Sequence, residues 1–288
     1  MKNFREISFM TLAMAGFALE DLILKILSDF IPISQLMISF GVFAVILLSI
    51  VAKIKKVPVI IPNIFSHKLI MLRTSFEMLG AVFFLTAISL IPLSTVSTIL
   101  QATPLLVTLG AALIFKETVG WRRWSAVFIG FAGVVLIIKP GLDSFQPASL
   151  LALLGVIFLS LRDLLTRQIT DDIPALAVSI YAFIGVVLGG SALIPFNDNF
   201  VMLTTAQWLM MIASTFLGCF AYLFLVLATR SGDVSVIAPF RYTRLIFVLI
   251  LTTLVLNEHP DTLMLIGAVI IIASGCYTFW RESLRRSP

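Results

Sequence analysis

The sequence predicts an all-α integral membrane protein in which ten transmembrane helices form two inverted five-helix repeats around a central cavity. Three observations predict it. Of 288 residues, 60% are hydrophobic and 12% charged, whereas a water-solvated domain is about one quarter charged. Ten apolar runs, each near the roughly 20 residues that cross about 30 Å of hydrocarbon, follow one another almost end to end. A charged stretch in the first run returns in the sixth, with Asp163 standing where the first has Asp21.

The runs lie near residues 7–28, 32–52, 68–90, 93–115, 121–138, 148–168, 174–194, 206–228, 234–256 and 260–280, and short polar or proline-containing turns separate them. The first follows Lys2 and Arg5 as the apolar core of a signal peptide would. It is longer than such a core, carries charges and belongs to the repeat, so it is expected to stay in the chain. The second starts at Pro32 and the seventh at Pro174, the fourth follows Pro92, and the tenth starts at Pro260. The seventh contains Gly185 and Gly189, a spacing that lets two helices approach closely.

Residues 19–32 read LEDLILKILSDFIP and residues 161–174 read LRDLLTRQITDDIP. Their overlay pairs Asp21 with Asp163, Lys25 with Arg167, Asp29 with Asp171 and Pro32 with Pro174; further on, Ser94 matches Ser235 and Glu117 matches Glu258. Residues 1–140 and 147–288 thus each hold five helices. An odd number makes the second half enter the membrane from the opposite side, an arrangement frequent in secondary transporters, whose sites lie where the halves meet. Fourteen lysines and arginines, from Lys2 and Arg5 to Arg285 and Arg286, fall on the loops of one side, and Lys139 alone falls on the other. The positive-inside rule then places both termini in the cytoplasm. The pI of 9.4 follows from this loop charge, and a nucleic-acid partner is not expected because no single solvated face gathers the positive charge.

Nine charges remain inside the apolar runs: Glu20, Asp21, Lys25, Arg73, Glu77, Arg162, Asp163, Arg241 and Arg244. Each costs about 2.5–3.5 kcal/mol near a helix centre, so they must pair or line a wet cavity. Residues four apart share a helix face, which pairs Asp21 with Lys25, Arg73 with Glu77 and Asp163 with Arg167. The first and third pairs, related by the repeat, are candidate gates at opposite ends of the cavity. Arg241 and Arg244 have no acidic neighbour in sequence, and a guanidinium can grip a carboxylate or phosphate with two hydrogen bonds. Glu20 and Glu77 are the acidic groups available to them or to a cationic group of a ligand. Five basic against four acidic groups favours an anionic or zwitterionic ligand. Pro104 and Pro239 each free a carbonyl inside the membrane, tolerable only beside protein or water. Gln101, Tyr222 and Tyr242 lie close to these breaks, and the tyrosines are candidates to stack on a flat ligand.

No GxxxxGK[ST] loop is present. His67 and His259 lie far apart at membrane boundaries, and Cys219 and Cys276 form no CxxC, so neither a metal centre nor a catalytic residue is expected, and no cofactor. An enzyme acting on lipid within the membrane would need a nucleophile with a base beside it, and the sequence offers no such set.

The stretch LIPLSTVSTILQATPLLVTLGAALIFKETVGWRRWSAVFIGFAGVVLI, residues 90–137, and its counterpart from Val234 to Gly275 resemble the EamA-like branch of the drug/metabolite transporter superfamily. The resemblance covers nearly the whole chain and is specific only to the superfamily. It implies two five-helix bundles of opposite orientation around a central cavity, and movement of metabolites in either direction without ATP. The segment APFRYTRL, with Arg241, Tyr242 and Arg244, resembles the ninth helix of several bacterial members; Glu117 and Glu258 match a glutamate of the family pattern that is structural. The expectation is a carrier in a bacterial inner membrane, working by alternating access on a small polar molecule, with Glu20 or Glu77 able to carry a coupling proton. Export of cationic metabolites or drugs is the alternative. Substrate, direction and oligomeric state are not fixed by the sequence.

Overall fold

The computed structural model describes residues 4–59, 67–116, 120–169, 173–196, 199–231 and 237–286. Among them the regular structure is helical throughout: α1 (Phe4–Ser28), α2 (Ile33–Ile54), α3 (Lys68–Leu90), α4 (Leu93–Leu100), α5 (Thr103–Ile114), α6 (Trp121–Ile138), α7 (Ser149–Thr166), α8 (Ala175–Leu193), α9 (Thr205–Ser231), α10 (Thr243–Val255) and α11 (Thr262–Arg286), with 3-10 turns at Ile194–Phe196 and Ala238–Tyr242. With α4 and α5 taken as one span, nine of these are long and apolar enough to cross a membrane. The run expected at 234–256 appears as the 3-10 turn followed by the 13-residue α10, and its first residues lie outside the described ones.

Prolines set three of the helix starts. Pro32, Pro92 and Pro174 stand just before α2, α4 and α8 with ψ of 139°, 136° and 138°, so the chain runs extended up to the first helical residue. The expected fourth helix breaks at Gln101 and Ala102. Pro104 cannot donate to the carbonyl of Leu100, and its ring crowds that oxygen; the Thr103 hydroxyl donates to it instead at 2.6 Å. In the second half the corresponding break carries Pro239, and the Thr243 hydroxyl donates to the Phe240 carbonyl at 2.6 Å. Helix ends are marked by left-handed residues at Lys56, Lys116, Lys139 and Asn257. Lys116 and Asn257 hold the same place, immediately before Glu117 and Glu258.

The packing interleaves the two halves. α1 lies along α9 and α3 along α7, α2 pairs with α8, and α6 pairs with α11. α10 rests on α1 and α4, while α4 and α5 rest on α7. Contact between α6 and α11 is backbone to backbone: a methyl on Gly133 would stand 2.8 Å from the Gly267 carbonyl, and one on Gly267 would stand 2.7 Å from the Gly133 carbonyl. Leu22, Leu36, Ile88, Ile99, Val134, Val248 and Ile271 belong to one continuous buried cluster. Large apolar side chains such as Leu12, Ile46, Phe128, Leu188, Leu254 and Val269 are exposed around the perimeter, as a surface solvated by lipid requires.

At the end of the bundle that carries Lys139, three contacts tie segments together. The Glu258 carboxylate accepts from the N–H groups of Leu93 and Ser94, both at 2.9 Å, and so caps α4 from the other half. Lys139 pairs with Asp261. Gln35 donates to the Val201 carbonyl at 2.8 Å and accepts from its N–H at 2.9 Å. Partial burial disfavours the Asp261 carboxylate, but the Lys139 hydrogen bond and the N–H of Met264 outweigh it, holding the carboxyl below its ordinary 3.8.

Candidate functional site

The intramembrane charges gather along one seam between the halves, built from α1 and α3 on one side and α7, α9, α10 and the 3-10 turn on the other. It begins at Asp21, only 3% exposed. Arg244 donates to Asp21 Oδ2 twice, from Nε at 3.1 Å and from Nη2 at 2.6 Å, while its guanidinium lies 5.1 Å above the Phe17 ring. One helical turn earlier, Arg241 stands 3.8 Å from Asp163 Oδ2 with its side chain 39% exposed. Asp163 is also paired with Arg162 Nε at 2.9 Å. Arg162 Nη1 then reaches both oxygens of Glu77, at 2.9 and 2.8 Å. Glu77 holds Arg73 as well, at 3.0 Å, and Arg73 is 2% exposed. Arg73 also donates to the Thr166 hydroxyl at 3.3 Å and the Val178 carbonyl at 3.4 Å. Every one of these pairs except Arg73–Glu77 and Arg162–Asp163 joins two different segments.

Two expected pairs do not form. Lys25 does not hold Asp21; its ammonium donates to the carbonyls of Ile88 and Ile91, at 2.8 and 3.3 Å. The last carbonyls of α3 are its negative pole and lack helical partners, so a cation is well placed there. Nor does Arg167 hold Asp163. Arg167 is the exposed C-cap of α7, while Arg162 and Arg241 take the carboxylate. The expected Arg73–Glu77 pair is present, because four-residue spacing within one helix fixes both side chains on one face.

The remaining candidates divide. Glu20 is partly buried on α1, and its carboxylate lies against Gly218 of α9, where a methyl would stand 2.7 Å from it. Tyr222, one turn beyond Gly218, is within electrostatic reach of Arg162. Gln101 is buried in the α4–α5 break, and its Nε2 has no hydrogen-bond partner among the described residues. Tyr242 is 4% exposed, with its hydroxyl pressed onto Gly275 of α11, so in this conformation its ring lies between helices. Arg162 and Gly218 complete the seam and were not among the expected site residues. Arg162 was visible as a charge in an apolar run; Gly218 carried no signal.

A family model, the EamA-like transporter family, matches residues 4–139 and again residues 146–280. The chain belongs to the EamA-like transporter family. Among its relatives, the S-adenosylmethionine uptake transporter of Rickettsia prowazekii (strain Madrid E) is 26% identical over 195 residues, 68% of this EamA-like chain and 66% of the relative. The riboflavin transporter of Vibrio cholerae serotype O1 is 25% identical over 75% of this chain and 73% of its own length. The pseudopaline exporter CntI of Pseudomonas aeruginosa is 24% identical over 65% and 66%. The matched region thus spans just under two thirds of the Rickettsia relative. A crystal structure of a protein shares the fold with a TM-score of 0.64 and 17% identity, over 96% of this chain and 99% of that one.

Proposed function

We propose that this EamA-like chain is a secondary-active carrier of a small polar metabolite, built from two inverted five-helix halves, residues 1–140 and 147–288, that rock about the charged seam. The seam itself carries the reading. Four carboxylates and four arginines, Glu20, Asp21, Glu77 and Asp163 with Arg73, Arg162, Arg241 and Arg244, lie at the contact between the halves, where a static scaffold would gain as much from apolar packing. The inverted relation is supported by the packing, because exchanging the halves turns the α1–α9 contact into the α7–α3 contact and leaves α2–α8 and α6–α11 as pairs. The two helix breaks, near Gln101 and near Tyr242, fall at matching places, as at the binding sites of transporters with interrupted helices.

The charge is unevenly placed. Glu20 and Asp21 face Arg244 alone, while Arg73, Arg162 and Arg241 face Glu77 and Asp163. A substrate with a positive group toward α1 and a negative group toward Arg241 matches this distribution, so a zwitterion is favoured over a plain anion. The Glu258 cap and the Lys139–Asp261 pair close the end that carries Lys139. With the arginine-rich loops in the cytoplasm of a bacterial inner membrane, the described conformation is closed outward. S-adenosylmethionine and riboflavin, named for relatives, are the first substrates to test. The experiment is uptake and counterflow in proteoliposomes with labelled forms of both and a panel of zwitterionic metabolites. Saturable uptake with counterflow supports the carrier; flux that never saturates and shows no counterflow would make it a channel.

A further inference from the structure

One carboxylate in the seam, that of Glu20, makes no direct ion pair among the described residues. Asp21 is held by Arg244, Glu77 by Arg73 and Arg162, and Asp163 by Arg162 and Arg241; the Lys25 ammonium is taken by two carbonyls. Glu20 shares the membrane-spanning part of α1 with Asp21, yet it makes no hydrogen bond or ion pair among the described residues. Arg244 is within electrostatic reach of it, but the contacts of that guanidinium go to Asp21 and to the face of Phe17. Hydrocarbon cannot solvate a bare charge.

The position of Glu20 is built, because its carboxylate rests on the backbone of α9 at Gly218. A methyl there would come within 2.7 Å of the carboxyl carbon and of Oε1, and 2.9 Å of Oε2. Any larger residue at 218 would push the carboxylate off this shelf. A metal ion does not fit, since hard cations take several oxygen ligands and the described residues contain no group of three or more His, Cys, Asp or Glu side chains able to hold one.

We infer that the Glu20 carboxylate, seated on Gly218, is the subsite that receives the cationic group of the transported molecule, a compact ammonium or sulfonium centre. This rests on the carrier reading and reverses the weight that sequence counting gave to anions. Gly218 is then a positioning residue.

The test uses the purified full chain in detergent and a carbodiimide, which modifies protonated carboxyls in apolar surroundings, with Glu20 followed by peptide mass spectrometry. Probes are choline, beside 3,3-dimethylbutanol as its counterpart without the onium charge, together with tetramethylammonium and S-adenosylmethionine. An onium probe at ten times its dissociation constant should slow labelling of Glu20 about tenfold, and 3,3-dimethylbutanol should not. Glu20→Gln should melt no lower than the unaltered chain without ligand and should lose the melting shift given by the protecting probe; Gly218→Ala should weaken that protection. At one fixed pH, no labelling of Glu20, no protection by any onium probe, or equal protection by 3,3-dimethylbutanol overturns the subsite. Melting of Glu20→Gln below the unaltered chain would show a packing role and overturn it too. Vesicle counterflow separates the two proposals: absence of transport with Glu20 still protected removes the carrier and leaves a binding site, whereas unchanged transport of an onium substrate by Glu20→Gln removes the subsite and leaves the carrier.

Discussion

Replacing Arg244 by alanine should be the most damaging single change in the seam. Asp21 has a side chain 4% exposed, and Arg244 17%, so the substitution strands the deeper of the two charges. Removing one partner of a buried ion pair costs about 3–5 kcal/mol, and the lost contact with Phe17 adds about 0.5–1 kcal/mol. The reverse change is milder. In Asp21→Asn the arginine keeps Phe17 and can turn toward Glu20, so the loss should be about 1–3 kcal/mol, the range for a charged hydrogen bond with its partner rescued. The double variant leaves no unpaired charge at that point and should be less damaged than the two losses added, with a coupling of about 1.5–3 kcal/mol. The assay is SDS-induced unfolding of the purified protein, single and double variants side by side, with folded fraction checked by gel filtration. Losses that add within about 0.5 kcal/mol would refute the pairing and return Asp21 to Lys25.

Glu258→Gln keeps one acceptor for the N–H groups of Leu93 and Ser94 but removes the charge; a loss of about 1.5–3 kcal/mol in unfolding is expected, and cysteines placed at the end carrying Lys139 should react faster with an impermeant thiol reagent. Asp261 should give a pH-dependent contribution. Its folded pKa is lowered, so its stabilisation is complete above the ordinary value of 3.8 and is lost as pH falls through the lower folded value. The melting difference between the unaltered chain and Asp261→Asn should therefore vanish on acidification, and Lys139→Ala should diminish it at neutral pH. Gly133→Ala drives a methyl to 2.8 Å from the Gly267 carbonyl, so α6 and α11 must separate; a loss of about 1–3 kcal/mol is expected, and a stable Gly133→Leu would show that the helices are not in backbone contact.

Much of the fold was legible because lipid simplifies the problem. A spanning segment must satisfy its own backbone, so apolar length alone marks it. Helix starts at Pro32, Pro92 and Pro174 follow from proline's fixed φ and missing N–H, and the interruption near Gln101 follows from Pro104. The site was legible in part: the eight seam charges were visible as expensive residues in apolar runs, and Arg73 with Glu77 paired as four-residue spacing within one helix requires.

The sequence by itself determined the membrane class, the helical segments, the repeated charged stretch and the inventory of charges that must be neutralised. Only the tertiary structure decided which charge meets which. Pairing between helices depends on the rotation and depth at which they pack, and the periodicity of one helix carries no information on its neighbour's. That is why Asp21 turned to Arg244, why Lys25 went to the end of α3, and why Tyr242 sank against Gly275. It is also why Glu20, charged like Asp21 in the same run, rests against a glycine and makes no direct ion pair among the described residues.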